Sequence, residues 1–312
     1  MDPADPASTP DAAFADDLVP DDILHRFLLE RSEVRGVIVR LQRTWETIRS
    51  REEYPPAIAA LLGETAAAAA LLTGHAKVDG RLSVQLKGSA PVRTLFAECT
   101  HAGTLRGLAH WTDPVPDVLT PRALGADALL AITIENDPPG GREPQRYQGL
   151  VDLDADSLGQ AIEGYFVQSE QLPTRLLLAA DESHACGLML QVLPGTQGDP
   201  DGWDRAQHLF ATLSPQELLA VPPEQLLYRL FHEDGVRVLA SRPLAFGCSC
   251  SDERVARMLR GLGHEEALAA AEHGDGYASI TCEFCGQRYR FDRVEIEALF
   301  AGPTVPGPDS VQ

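Results

Sequence analysis

Polar and apolar residues alternate along Leu82-Ser83-Val84-Gln85-Leu86, the signature of a strand with one buried face. Val34 to Leu41, Val92 to Glu98 and Thr104 to His110 also read as strands, the last two joined by a turn at His101-Ala102-Gly103. Leu129 to Glu135 and Arg146 to Leu153 form another pair around the turn signal Asn136-Asp137-Pro138-Pro139-Gly140-Gly141. Leu176 to Ala180 and Cys186 to Leu193 read as a further hairpin. Helical spacing predicts a short amphipathic helix over Asp22 to Arg31, with Ile23, Leu24, Phe27 and Leu28 on one face. Trp45 to Arg51 is a second helix. Tyr54-Pro55-Pro56 ends it and opens an alanine-rich helix to about Gly74. Asp156 or Ser157 caps a fourth, running to about Ser169. Strands grouped with a few helices, without regular β-α-β alternation, predict an α+β fold: a β-rich core domain with packed helices over residues 21–194.

The pattern changes after Pro194. Gly195 to Asp201 is a Gly/Asp connection, followed by short helices over Trp203 to Leu213, Pro215 to Ala220 and Pro223 to His232. Their apolar faces are strong, and the helices are too short to hold alone, so they are expected to lie on the preceding domain. Residues 195–246 thus read as a helical linker, with Val236 to Ala240 a strand leading out of it. Residues 247–301 form a small C-terminal domain, with helices over Asp252 to Leu262 and Glu265 to His273 and a strand over Tyr277 to Thr281. Residues 1–20 belong to an acidic run: the first 22 positions hold seven aspartates, four prolines and no Lys or Arg. That composition predicts a disordered tail, as does the Pro/Gly stretch 302–312.

Composition narrows the function classes. The 312 residues are 44% hydrophobic, enough for a real core. The most membrane-like stretch, Ala57 to Ala76, contains Glu64, Thr65 and His75 and is mostly alanine, so it reads as a buried helix. A net charge of −20 argues against nucleic acid or anionic membranes as general partners. The C-terminal domain agrees: Gly247 to Ala301 holds six arginines against ten acidic residues. Met1-Asp2-Pro3 shows neither a basic start nor an apolar targeting segment, which predicts a cytoplasmic, reducing location.

Four of the six cysteines lie in that domain, as Cys248-Ser249-Cys250 and, after 31 intervening residues, Cys282-Glu283-Phe284-Cys285. Two close pairs joined by a loop suit one tetrahedral Zn²⁺ per chain, bound by Cys248, Cys250, Cys282 and Cys285. Four thiolates leave no open coordination position, which argues against a hydrolytic metal. Gly286 after the second pair allows the tight turn. The Cys-x-Cys spacing gives a tighter chelate than Cys-x-x-Cys and, when oxidised, a strained and labile disulfide. Spacing alone leaves a purely structural zinc knob and a redox-responsive site both open. His264 and His273 lie in this region and read as surface residues, because the cysteines already fill the ligand set. Cys99 and Cys186 sit in apolar strands as core thiols. No phosphate-binding loop, dinucleotide fingerprint or hydrolase motif is present. Ser169-Glu170-Gln171-Leu172-Pro173-Thr174-Arg175 is polar; without a nucleophile–base pair it reads as a helix terminus with a local Glu170–Arg175 pair rather than a catalytic loop.

Several stretches together resemble the redox-regulated bacterial heat-shock chaperones of the thirty-three-kilodalton class, the HslO family. They are Asp79-Gly80 through Gln85-Leu86-Lys87-Gly88, Arg146-Tyr147-Gln148-Gly149, and Tyr165-Phe166 through Ser169-Glu170-Gln171-Leu172-Pro173-Thr174-Arg175. Gly187-Leu188-Met189-Leu190-Gln191-Val192 and Leu227-Tyr228-Arg229-Leu230-Phe231-His232-Glu233 join them, as do the two cysteine pairs. The resemblance covers roughly 21–300; the acidic N-terminal tail departs from it. It implies a non-enzymatic, ATP-independent holdase that is inactive when reduced and zinc-bound. Peroxide with heat, or hypochlorous acid, would form disulfides Cys248–Cys250 and Cys282–Cys285 and release the metal. The zinc domain and the metastable linker would then unfold and expose a surface for unfolding client proteins. Clients would pass to an ATP-dependent foldase of the DnaK type, and the oxidised chain would be a homodimer. The alternative is a structural zinc ribbon that binds a nucleic acid or a translation component, for which the expected basic face is missing.

Overall fold

The computed structural model describes residues 22–89, 91–125, 127–136, 145–194 and 199–301. The two expected tails, the tip of the turn after Asn136 and most of the Gly195–Asp201 connection lie outside these residues.

A five-stranded antiparallel sheet comprises β1 (Ile23–Leu29), β2 (Val34–Leu41), β8 (Thr174–Ala180), β9 (Ala185–Val192) and β10 (Val236–Pro243), in the order β10-β1-β2-β9-β8. A six-stranded sheet comprises β3 (Gly80–Lys87), β4 (Val92–Thr100), β5 (Thr104–Trp111), β6 (Leu129–Asn136), β7 (Gln145–Asp152) and the short β11 (Ala245–Phe246), in the order β11-β5-β4-β3-β6-β7. Helix α1 (Arg43–Arg49) leads into α2 (Pro56–His75), which packs against strands of both sheets. Alanine explains why α2 can lie between them. From Ala66 to Ala70 every side chain is fully buried, and small side chains let two sheets close on one helix. Its Thr65 and Thr73 hydroxyls donate to Leu61 O and Ala69 O, both at 2.7 Å, so neither threonine of α2 buries an unpaired hydroxyl. It is the one described helix long and apolar enough to cross a membrane, and 83% of that stretch is buried inside the fold. Helix α3 (Leu158–Tyr165), capped by Ser157, packs beside β7 and β8.

The expected helix over Asp22 to Arg31 is instead strand β1, a correction with a clear cause. Ile23, Leu24, Phe27 and Leu29 are all buried, on both faces of the strand. Leu24 meets α2, and Phe27 and Leu29 enter a second core on the opposite face. A run buried on both sides loses the period-two signature, and a short apolar run then imitates a helix.

That second core is closed by α4 (Gly202–Ala211), α5 (Pro215–Ala220) and α6 (Pro223–Phe231). Phe210, Leu218, Leu226 and Phe231 pack onto Phe27, Val34, Ile38 and Leu188 of the five-stranded sheet. The chain then pairs β10 against β1, with Ile23 opposite Pro243 and Leu29 opposite Val236. It next crosses to the other sheet, where β11 runs parallel to β5. Residues 199–246 therefore touch both sheets.

The C-terminal unit contains α7 (Asp252–Leu262), α8 (His264–His273), the hairpin β12 (Tyr277–Thr281) and β13 (Arg288–Asp292), and α9 (Arg293–Phe300). Neither β13 nor α9 emerges from the hydrophobic pattern. A signal for α9 exists in Asp292-Arg293-Val294-Glu295, a capping box: Asp292 Oδ1 accepts from Glu295 N at 2.7 Å and Glu295 Oε2 accepts from Asp292 N at 2.9 Å.

Gly80 marks a close backbone approach between β3 and β6, where an added Cβ would lie 2.1 Å from the carbonyl oxygen of Glu135. Gly80→Ala is expected to lower stability by about 1–3 kcal/mol, seen as a fall in the urea midpoint with an unchanged slope. An unchanged midpoint would mean that the two strands separate at no cost.

Candidate metal centre

Strand β11 delivers the first cysteine pair. After Phe246 aligns with Leu105, Gly247 N donates to Leu105 O at 2.9 Å. A Cβ on Gly247 would sit 2.8 Å from Cβ of Thr104, so glycine permits the approach that carries Cys248 alongside Arg106. Ser251 then ends the extended segment by capping α7, its Oγ accepting from Arg254 N at 3.3 Å. The second pair lies in the loop between β12 and β13. Cys282 N donates to Gln287 O at 2.9 Å, Gly286 N donates to Cys282 O at 2.8 Å, and Gly286 has φ +72°. These bonds form the tight turn that the Cys-x-x-Cys-Gly spacing predicts.

The four sulfurs converge. Cys248 and Cys282 Sγ are 3.6 Å apart, Cys250 and Cys285 Sγ 3.3 Å apart, and all four lie within 4.8 Å of one another. A tetrahedron of sulfurs with metal–sulfur bonds of about 2.3 Å has edges of roughly 3.8 Å, so the cluster has the size of a four-thiolate metal site. The electrostatics agree. Burial raises the Cys248 thiol, but hydrogen bonds from the Cys250 backbone N–H and the neighbouring thiols bring it down to about 7. Burial and the three other thiols push Cys285 up to about 12. Burial also raises Cys282, against N–H groups of Cys285 and Phe284 directed at its sulfur. Four thiols this close are positioned to hold a metal ion, and the backbone N–H groups supply donors around the sulfurs.

No histidine enters the cluster. His264 Nε2 pairs with Glu297 at 3.2 Å and His273 Nδ1 lies 2.7 Å from Ala269 O, each at a helix end. Cys99 and Cys186 are buried in the two large sheets, and burial pushes both thiols up to about 12, which makes them poor nucleophiles. The Ser169–Arg175 segment is a π-helical turn over Phe166–Glu170 followed by Gln171 in the left-handed region at φ +55°. The local pair expected there is replaced: Arg175 meets Glu163 at 3.4 Å, while Glu170 lies in the field of Arg35.

Sequence reasoning missed how this unit is seated on the six-stranded sheet. The Phe284 ring stands edge-on to Phe96 with centroids 5.6 Å apart, and the Arg106 guanidinium lies 4.3 Å from the centroid of the same ring. Arg106 also pairs with the buried Glu98 at 3.0 Å and brings Nη1 to 3.9 Å from Cys248 Sγ. His110 meets Glu283 at 3.7 Å. One signal was available. Phe96 occupies an outward position on β4, between the buried Leu95 and Ala97, and a large aromatic on the polar side of a strand indicates a covering partner.

The sequence profile of a family described as Hsp33 protein matches residues 22–292. A 33 kDa chaperonin of Hahella chejuensis is 43% identical over 289 residues, covering 91% of this chain and 99% of the relative. A 33 kDa chaperonin of Nitrosococcus oceani is 42% identical over 279 residues, covering 89% of this chain and 94% of the relative. The crystal structure of a 33 kDa chaperonin from Thermotoga maritima superposes with a TM-score of 0.74 at 22% identity, over 89% of this chain and 97% of that one, and so shares the fold. Reached through the paired cysteines, the two sheets around α2 and these matches along most of its length, the conclusion is that the chain belongs to the Hsp33 family.

Proposed function

We propose that this protein is a redox-regulated, ATP-independent holdase chaperone of a reducing cytoplasm. Cys248, Cys250, Cys282 and Cys285 hold one Zn²⁺ in the reduced, inactive state. A bound cation would offset two of the four thiolate charges and would add folding free energy on the order of 10 kcal/mol to the small unit around it. On oxidation Cys248 pairs with Cys250 and Cys282 with Cys285. Each pair loses two electrons to one equivalent of peroxide. One sulfur becomes a sulfenic acid with release of water, and its neighbour displaces a second water to close the disulfide. The carrying observation is the position of the four thiols: Cys248 follows β11 directly, at the joint between the helical cover and the sheets.

The Cys248–Cys250 link constrains the segment that lies beside Arg106, and the Cys282–Cys285 link reshapes the turn that presents Phe284. With its metal gone, residues 247–301 retain only a small core rich in alanine. Residues 195–246 act as the metastable linker. Their short helices, broken at Pro215, Pro222 and Pro223, bury apolar faces that clients meet once the cover detaches. Clients then pass to a DnaK-type foldase, and the oxidised chain dimerises.

The test combines three readouts during peroxide treatment at raised temperature: zinc release to a metallochromic dye, far-UV circular dichroism, and aggregation of a denatured client enzyme. About one zinc per chain is expected to leave, with loss of helix and onset of client protection in the same interval. Zinc release without protection would overturn the proposal.

A further inference from the structure

The outer face of the six-stranded sheet carries one cross-strand row that is apolar except at its centre. Leu108 lies opposite Phe96, Phe96 opposite Gln85, Gln85 opposite Ala131, and Ala131 opposite Leu150. The two ends of this row are treated differently. At one end Leu108 is only 7% exposed and Phe96 lies under the Phe284 ring. At the other, Leu150 is 65% exposed. Beside the covered end a cavity of about 280 Å³ opens between Tyr54, Trp111, Leu108 and His110, with Glu283 at its border. Glu283-Phe284 therefore sits on this face as a two-residue ligand would. The aromatic ring meets Phe96 and the flat side of Arg106, and the preceding carboxylate meets His110.

We propose that this row is a client-binding surface selective for extended segments in which an aromatic residue follows a carboxylate, and that Glu283-Phe284 is the resident copy that keeps it shut. This rests on the holdase reading above and names its substrate class. The selectivity follows from the groups present. Glu98 already pairs with the edge of the Arg106 guanidinium, which leaves its face for an aromatic ring, while His110 offers a donor to a carboxylate one residue earlier. The row beyond Phe96 gives the rest of an extended segment Ala131 and Leu150 to lie against. The surface is separate from the face beneath α4, α5 and α6, which belongs to the five-stranded sheet.

The experiment opens the seat without oxidation. Phe284→Ala leaves all four cysteines in place, and its zinc content is confirmed with a metallochromic dye. The probe is a fluorescein-labelled peptide of residues 280–287 with serine at both cysteine positions, and its counterpart has alanine for the phenylalanine. By fluorescence anisotropy the reduced, zinc-loaded F284A chain is expected to bind the first probe at least about 10-fold more tightly than the reduced wild type. That gain should vanish with the alanine probe and in the F96A/F284A chain. Equal binding to wild type and F284A, or indifference to the probe's aromatic, overturns the proposal. If F284A fails to retain zinc, the oxidised wild-type chain provides the same contrast between probes. An oxidised chain that protects clients yet does not distinguish the probes overturns this surface and leaves the holdase reading standing. An oxidised chain without protection, beside an F284A chain that binds the probe, does the reverse.

Discussion

If the four cysteines hold zinc as proposed, Cys285→Ser is expected to abolish its binding and unfold residues 247–301 while both large sheets stay folded. The effect is large because the C-terminal unit has little else to hold it. Its core is Val255, Ala256, Leu259, Ala267, Ala271, Ala278, Tyr289, Phe291 and Ile296, so alanine supplies four of nine positions. Alanine buries little area, and a core of this size contributes only a few kcal/mol against the conformational entropy of its chain. Metal binding to four thiolates is worth on the order of 10 kcal/mol in small domains, and loss of one ligand forfeits most of it. Helices α7, α8 and α9 should melt together, lowering the far-UV signal, while the near-UV signal of the deeply buried Trp45 persists. Limited proteolysis should then cut after Phe246 and spare residues 22–194. Retention of stoichiometric zinc by C285S, or an undiminished helical signal, would show that the small core suffices.

The second large effect is expected at Asp234, which ties the helical cover to the five-stranded sheet. Its side chain is fully buried. It accepts from Ser32 Oγ at 2.7 Å and from Arg205 Nε and Nη2 at 2.9 and 2.7 Å. The backbone continues the clasp, with Arg31 N donating to Asp234 O and Glu30 N to Gly235 O, both at 3.0 Å. Asp234→Ala leaves Arg205 with Asp199 as its remaining carboxylate, and the Ser32 hydroxyl keeps its bond from Arg205 Nη2 but loses the acceptor for its own proton. Asp234 is the fully buried member of the pair and Arg205 is partly exposed, so the loss is about 1–3 kcal/mol, the cost of leaving hydrogen-bonding groups without their partner. The loss should fall on α4, α5, α6 and β10, because Arg205 belongs to α4 and Asp234 lies two residues before the start of β10. The reduced, zinc-loaded D234A chain is thus expected to show faster amide exchange across 202–243 and partial client protection without oxidant. Asp234→Asn, which keeps the acceptor geometry at one oxygen, should show a smaller shift in the same direction. Wild-type exchange rates in D234A would mean that the apolar contacts alone hold the cover.

The hydrophobic pattern exposed much of this architecture, for physical reasons that differ between elements. Strand β3 alternates because Leu82, Val84 and Leu86 enter the core around α2 while Ser83 and Gln85 lie on the other face, so its period survives in the sequence. The cysteine pairs were legible because thiolate geometry demands close spacing, whatever the fold around them. Strand β1 was not, since burial on both faces erases its period. The docking of Phe284 was not either, because Phe96 and Arg106 lie far from it in sequence and meet it only through the β11–β5 pairing. The Ser169–Arg175 segment misled in a smaller way: its charges suggested a local pair, but the π-helical turn and the left-handed Gln171 rotate Glu170 toward Arg35 and leave Arg175 to Glu163.

The pairing of β1 with β10 has a consequence for synthesis. Strand β1 can join β2 as soon as both leave the ribosome, but its other edge waits for Val236–Pro243. At translation rates of about 5–20 residues per second, that edge stays open for roughly 10–40 seconds. Phe27 and Leu29 lack their helical cover for nearly as long, since α6 ends at Phe231. During its own synthesis the nascent chain therefore presents an unpaired strand and bare aromatic and aliphatic side chains, and needs the same shelter from aggregation that the finished protein is proposed to give others.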